Sequence, residues 1–266
     1  MENKSFCDKN AWYYNLVKAR ISSLVPQGQN TILDLGCGVG ALGRNLRELN
    51  KVRELVGVEI FKEAADEAAK HYEKVYHGDL ERLRLDYENY FDFVVCGDIL
   101  EHLTDPWRAL RRINRWLKDG GHVVVSIPNV RYWRILWSLV FSGYWEYAEA
   151  GILDKTHLRF FTKKSFLKAL IEAGFNVEYS KFYVVGTKHK FFNTATFRLF
   201  EEFIGYQITI VGKKVSTSLK TVHFPSSPEQ TGTAFTQFVQ AWTGKGRIPP
   251  TRKCLNQDLQ QPTMER

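Results

Sequence analysis

Apolar residues recur along this chain in two alternating rhythms. Short, nearly unbroken apolar runs of five or six residues alternate with stretches whose apolar positions fall three or four apart, the spacing of one helix face. The short runs are Thr31–Leu35, Leu55–Ile60, Phe91–Cys96 and His122–Ile127, and their density predicts strands buried on both faces. The helical rhythm predicts a first helix over Asn10–Leu24, stopped by Pro26-Gln-Gly28, and a second carrying Leu42, Leu46 and Leu49. A third is predicted over Lys62–Tyr72. Asp105-Pro106 opens a fourth, with Trp107, Leu110, Ile113 and Leu117 on one face and Lys118-Asp-Gly-Gly121 as its stop. Buried strands alternating with amphipathic helices imply parallel β-α-β units: an α/β fold with an open, doubly wound, mostly parallel sheet.

The rhythm breaks after Pro128. Residues Asn129–Phe161 are irregular and aromatic, and they read as an insertion or lid. Thr162 is the expected N-cap of a helix that runs to Ala173 and stops at Gly174. Phe175–Val185 and Tyr206–Val211 read as two final strands. Between them, His189–Ile204 reads as a helix with Phe192, Thr196, Leu199 and Phe203 on one face. From Val215 onward the chain is rich in Thr, Ser, Gln and Pro, which predicts a disordered tail. The alternative is a small add-on packed around Phe235, Phe238 and Trp242. The expected organisation is an N-terminal helix (1–28), one domain (29–214) with the insertion at 129–161, and the tail (215–266).

Charge adds an asymmetry. The chain carries 37 Lys+Arg and 29 Asp+Glu, a formal net charge of +8. All of the excess lies beyond Asn129, where a basic surface suits anionic substrates, membrane headgroups, nucleic acid or simple solvation. The four cysteines, Cys7, Cys37, Cys96 and Cys254, form no CxxC pair, so neither a zinc site nor a disulfide framework is indicated. The N-terminus has no apolar signal core. The most apolar later stretch, Tyr132–Phe141, is about half a bilayer span and is interrupted by Arg134. These features lead to the expectation of a cytoplasmic protein with no transmembrane segment, leaving surface contact with a membrane open.

The sharpest chemical signal is Asp34-Leu-Gly-Cys-Gly-Val-Gly40 at the end of the first strand. Its glycines permit a tight strand-to-helix turn and a close backbone approach to a ligand. Glu59 ends the second strand, where an acid can hold both ribose hydroxyls, so turn and acid together read as a nucleoside site. Gly38-Val-Gly-Ala-Leu-Gly43 also satisfies the GxGxxG pattern of dinucleotide enzymes. Asp34 argues against that class, because a carboxylate there suits a cofactor bearing positive charge.

The Asp34–Gly40 segment resembles motif I of the class I S-adenosylmethionine-dependent methyltransferases. Further likenesses follow in order: Val56-Gly-Val-Glu-Ile60, Gly78-Asp79-Leu80, Phe91–Pro106, and Leu117–Pro128. The resemblance covers roughly Gln29–Lys214. It implies a Rossmann-like seven-stranded sheet with an antiparallel last strand and S-adenosyl-L-methionine as cofactor. The implied contacts are Asp34, Gly36, Cys37, Gly38 and Gly40 in the turn, and Glu59 and Ile60 at the ribose. Gly78, Asp79 and Leu80 would lie at the adenine, with Asp98 and Ile99 beside the turn. Leu100-Glu-His-Leu-Thr-Asp-Pro106 with Thr156-His157 is similar to ubiquinone-type O-methyltransferases, and Ser126-Ile-Pro-Asn129 to MetW-type proteins. Asp154–Thr162 is similar to methyltransferases of bacterial surface polysaccharides.

On the acceptor side, His157 and His102 are the candidate catalytic bases. Asp98-Ile-Leu-Glu-His102 resembles a metal-binding E-x-x-E-H array, but Asp replaces its first Glu and no metal is assigned. The cluster around Tyr132, Trp133, Trp137, Tyr144, Trp145 and Tyr147 reads as a lid, a lipid-facing surface or a cover for the sheet edge. Tyr13 and Tyr14 are candidates to close over the cofactor. The expected function is methylation, preferably on oxygen, of a small-molecule acceptor such as a sugar or lipid-linked intermediate. An RNA methyltransferase and a non-catalytic partner protein of the MetW kind remain as alternatives.

Overall fold

The computed structural model describes residues 11–186, 189, 193–194, 196 and 198–216, and for 11–16 the backbone only. Seven strands form one sheet in the order β3-β2-β1-β4-β5-β7-β6. They are β1 (Asn30–Leu35), β2 (Val52–Glu59), β3 (Lys74–His77), β4 (Phe91–Gly97), β5 (Leu117–Pro128), β6 (Phe175–Val184) and β7 (Gly205–Lys214). The first five are parallel, and β7 runs antiparallel to both β5 and β6. This is the Rossmann-like, doubly wound sheet with an antiparallel last strand that the alternation and the resemblance lead one to expect.

Period-two alternation sorts the buried strand residues onto two cores. Leu33, Leu35, Val94, Cys96, Val123 and Val125 face one layer, built on α4 (Pro106–Trp116) and α5 (Lys163–Glu172). Ile32, Phe93, Val95 and Val124 face the other, with α1 (Ala11–Leu24), α2 (Ala41–Glu48) and α3 (Lys62–Ala68). Asp34 lies two residues beyond Ile32 and so shares the α1/α2 face. The chain order reverses between β1 and β4, and a crevice opens at the carboxyl ends of these strands.

Several expectations are corrected in detail. The third helix ends at Ala68, not Tyr72, and leaves the Tyr72 side chain in the core. β3 has no strong apolar run because it is a four-residue edge strand. The fourth helix stops at Trp116, and Leu117 already belongs to β5, which takes Lys118–Gly121 into a bulge at its start. Trp107, expected on the buried face, is exposed; Ala109, Leu110, Ile113 and Trp116 fill that face.

Part of the expected helix His189–Ile204 lies outside the described residues, Phe192 included. Its described end turns at 198–200 and forms a single helical turn, α6 (Glu201–Ile204), and Leu199 is 77% exposed. The side chains of Tyr13 and Tyr14, together with Cys7, Cys254, Phe235, Phe238 and Trp242, also lie outside the described residues. Cys37 and Cys96 are buried free thiols, as their apolar runs imply. No helix among the described residues is long and apolar enough to cross a membrane.

Candidate functional site

The turn after β1 is built to need glycine. Gly36 and Gly40 have φ of 71° and 81°, a region costly for other residues. A Cβ on Gly36 would come within 3.0 Å of Ile99, and one on Gly40 within 3.0 Å of the Ala68 backbone. The amides of Gly36 and Cys37 both donate to the Val58 carbonyl of β2, at 2.9 and 3.1 Å, which clamps the turn to the neighbouring strand.

Glu59, at the end of β2, completes the clamp. Its carboxylate is buried and accepts from the amides of Gly38 (2.8 Å), Ile60 (2.9 Å) and Phe61 (3.0 Å). A carboxylate offers about four lone-pair sites, so roughly one is left for a ligand hydroxyl. Glu59 therefore shapes the turn and keeps room for about one further donor. Ile60 is exposed at the lip, and the Gly78 amide donates to the Glu59 carbonyl at 2.8 Å, bringing the β3 end alongside. Asp79 is partly engaged there, accepting from the Glu81 amide and pairing with Arg82.

Two expected contacts have side chains that point elsewhere. The Leu80 side chain is buried against the α4 layer, and the Cys37 thiol is buried beside Gly57. Burial pushes that thiol's pKa far up, so at these two positions only the backbone is presented.

The crevice itself is lined by Lys18 and Ile21 of α1, Asp34, Gly36, and Gly97 and Asp98 after β4. Asp34 is 3% exposed, and burial raises its pKa from 3.8 to about 6, against the opposing hydrogen bond from Tyr72. The nearby Lys18 ammonium also favours the charged carboxylate, whereas Glu59 opposes it. Asp98 adopts a positive φ of 56°, and its Oδ1 accepts from Ser126 Oγ (3.0 Å) and Gln207 Nε2 (2.5 Å). Arg20 of α1 donates to Gln207 Oε1, so the N-terminal helix is tied across the crevice to β7 and the Asp98 turn.

Tyr72 is a site residue that the sequence did not reveal. Its hydroxyl donates to Asp34 Oδ2 at 2.6 Å and accepts from the Gly43 amide at 3.2 Å, both buried. Its ring fills the space a Cβ would take on Gly43, only 2.4 Å away, and approaches Gly40 and Gly57 as well. The sequence placed it only at the end of a predicted helix, and the fold brings it to Asp34. Removing the hydroxyl takes away the bond that holds Asp34 ionised. In Tyr72→Phe, the pH midpoint for S-adenosylhomocysteine binding, read by calorimetry, should move upward from about 6. An unchanged midpoint would show that Tyr72 only fills space.

His157 lines a second, smaller cavity together with Glu101, Pro128, Val130, Ile152 and Phe160 among others. The Asp98–His102 turn lies between it and the crevice. His102 and His157 stack edge to face at 4.7 Å. His157 Nδ1 lies 2.9 Å from the Ile152 carbonyl and must donate to it, leaving Nε2 with its lone pair. Thr156 spends its hydroxyl proton on Asp154, so both Thr156 oxygens near His102 Nδ1 are acceptors. His102 is thus also protonated at Nδ1 and bare at Nε2.

Burial, reinforced by His157, lowers the His102 pKa below the usual imidazole value. Both Glu101 carboxylate oxygens are buried without a hydrogen-bond partner, and burial beside Asp98 raises the Glu101 pKa. One ligand atom each from Glu101, His102 and His157 lie within 4.8 Å of one another. The sequence pattern assigned Glu101 no role apart from its array, and it is the fold that adds His157 and separates Asp98.

A family model described as a methyltransferase domain matches residues 10–180. The chain is similar to a ubiquinone biosynthesis O-methyltransferase of Coxiella burnetii (29% identity over 119 residues, 42% of this chain and 50% of the relative). It is also similar to one of Alkalilimnicola ehrlichii (36% over 104 residues, 37% and 41%). It spans about half the length of these curated relatives. A crystal structure of a SAM-dependent methyltransferase from Archaeoglobus fulgidus superposes with a TM-score of 0.56 at 21% identity, covering 75% of this chain and 93% of that one.

Proposed function

The chain belongs to the class I S-adenosylmethionine-dependent methyltransferases, and from that premise we propose that it methylates a hydroxyl oxygen of a small-molecule acceptor. The observation that carries the oxygen reading is the pair of bare imidazole Nε2 atoms beside the buried Glu101, just past the crevice turn. A hydroxyl attacking a methyl group must lose its proton, and a neutral imidazole near pH 7 is suited to take it. The name shared by the curated relatives points the same way.

S-adenosylmethionine supplies a methyl group already activated on a sulfonium sulfur. The residues of this chain then have four tasks. The Gly36–Gly40 turn and Glu59 bind and orient the nucleoside end. Asp34 places negative charge in the crevice, where it complements a cationic cofactor. Lys18 and Ile21 of α1, tied down through Arg20 and Gln207, close the crevice against water. His102 and His157 accept the acceptor's proton at Nε2.

The reading is tested by incubating the protein with methyl-labelled S-adenosylmethionine and panels of phenols, sugars and lipid-linked sugars, with RNA in parallel. Label on a small-molecule oxygen is the expected result, and label on RNA alone would overturn it.

A second reading uses the same groups. A carboxylate and two imidazoles, each imidazole anchored through Nδ1–H to a backbone carbonyl, also fit a divalent cation. Glu101, His102 and His157 would hold it, and it would polarise an acceptor hydroxyl. Calorimetric titration with Zn²⁺, Mn²⁺ and Mg²⁺ separates the two. The base reading expects activity that survives chelation, and the cation reading expects metal uptake that is lost in His157→Ala.

A further inference from the structure

Among the described residues, Lys18 is the one basic side chain that lines the crevice, and its ammonium makes neither a hydrogen bond nor an ion pair. Its place is nevertheless fixed. Val17 and Ile21, one helical turn apart, bury their side chains beneath α1, and Arg20 holds the same helix to Gln207 of β7. Lys18 stands three residues before Ile21, so both reach the crevice wall, and Lys18 stays half-buried there. Its Nζ lies 3.7 Å from the point where a Cβ on Gly38 would stand. Apart from the chain neighbours of Gly38, no other described atom comes within 4 Å of that point. The ammonium therefore hangs over the glycine turn with open space beside it.

The acids nearby do not take this ammonium up. Lys18 and Asp34 attract each other but form no ion pair, and Asp34 Oδ2 is engaged by the Tyr72 hydroxyl at 2.6 Å. Glu59 spends its carboxylate on three backbone amides. The crevice thus presents a buried anion and, apart from it, an uncommitted cation. The ligand that complements both is a zwitterion. S-adenosylmethionine ends in one, an α-amino acid whose ammonium and carboxylate follow the sulfonium. Asp34 suits the cationic groups, and the carboxylate needs a donor of its own. A ligand with cationic groups alone would be repelled by Lys18, and one with anionic groups alone by Asp34 and Asp98.

We propose that Lys18 binds the α-carboxylate of S-adenosylmethionine, so that α1 forms part of the cofactor site as well as covering it. A compact ammonium on a flexible four-carbon stem can follow a carboxylate that enters beside it. Lys18 then sets a preference: ligands that keep the carboxylate bind, and those that have lost it are disfavoured. The proposal rests on the cofactor class alone, and no acceptor takes part in it.

Calorimetry of the full chain with S-adenosylhomocysteine and with its decarboxylated analogue tests it, because the two ligands differ by the carboxylate alone. The native chain should bind S-adenosylhomocysteine about tenfold or more tightly than the analogue, the scale of a hydrogen bond to a charged group. In Lys18→Met this preference should vanish through lost affinity for S-adenosylhomocysteine, with the analogue bound as before. In Lys18→Glu it should invert. A second measurement needs no variant. Acylation of lysine amines in the native chain, mapped by mass spectrometry, should be slowed at Lys18 by S-adenosylhomocysteine and not by a saturating amount of the analogue. An undiminished preference in Lys18→Met, an equal loss of both ligands in that variant, or equal protection of Lys18 by both would each overturn the proposal.

Discussion

Replacing His157 by alanine should cut turnover by about 10²–10⁴-fold, the usual range for a lost acid–base group, and leave cofactor affinity nearly intact. The separation follows from geometry. His157 lines the small cavity with Glu101 and Phe160, whereas the crevice is lined by Asp34, Gly36 and residues of α1. His157→Gln keeps the volume without the base and should be nearly as inactive. The pH dependence carries a second expectation. Where His102 shares the proton transfer, its burial-lowered pKa places an acid limb of kcat below the ordinary imidazole value of about 6.5 at saturating cofactor. Full turnover in His157→Ala, with an unmoved acid limb, would leave His102 as the base.

Asp34→Asn should produce two opposite effects of similar size. Cofactor binding should weaken by about 1.5–3 kcal/mol, roughly 10- to 100-fold, because a charged partner is removed from a buried site. Folding stability at pH 7.5 should rise at the same time, by about 1–3 kcal/mol. The sign follows from the raised pKa. Asp34 binds its proton more tightly folded (about 6) than at its ordinary value of 3.8. Its contribution is therefore most favourable below pH 3.8, is lost progressively as pH rises through about 6, and at neutral pH leaves a buried charge to be maintained. Asparagine carries no such charge and can still accept the Tyr72 hydroxyl. Melting curves at pH 7.5 and at the lowest pH where both proteins fold should show the advantage of the variant shrinking in acid. If the variant is less stable than the native protein at pH 7.5, then Asp34 supports the turn by more than its charge costs.

These two sites differ in how far they could be read from the chain. The glycine turn, Asp34 and Glu59 lie within thirty residues and are set by a strand, a tight turn and a second strand, all local features. The alternation of short apolar runs with helical spacing likewise carried the parallel sheet, because burial on both faces leaves few polar positions in a strand. Local pattern failed where a residue's partner is distant in sequence. Tyr72 meets Asp34 across 38 residues, and Gln207 meets Asp98 across 109. Trp107 had the right spacing for the core and still turned outward, since the helix docks on Ala109, Leu110, Ile113 and Trp116.

By itself, the sequence determined the fold class and placed the glycine turn and Glu59 at the ends of neighbouring strands, because each follows from periodicity or from backbone geometry that few residues tolerate. Only the tertiary structure decided that Glu101, His102 and His157 bring ligand atoms within 4.8 Å of one another, and that Glu59 is largely taken up by three backbone amides. It also decided that the aromatic insertion leaves its tip in solvent. Burial, hydrogen-bond competition and the meeting of distant segments depend on how the layers pack, and a linear pattern of apolar and polar residues does not contain that information.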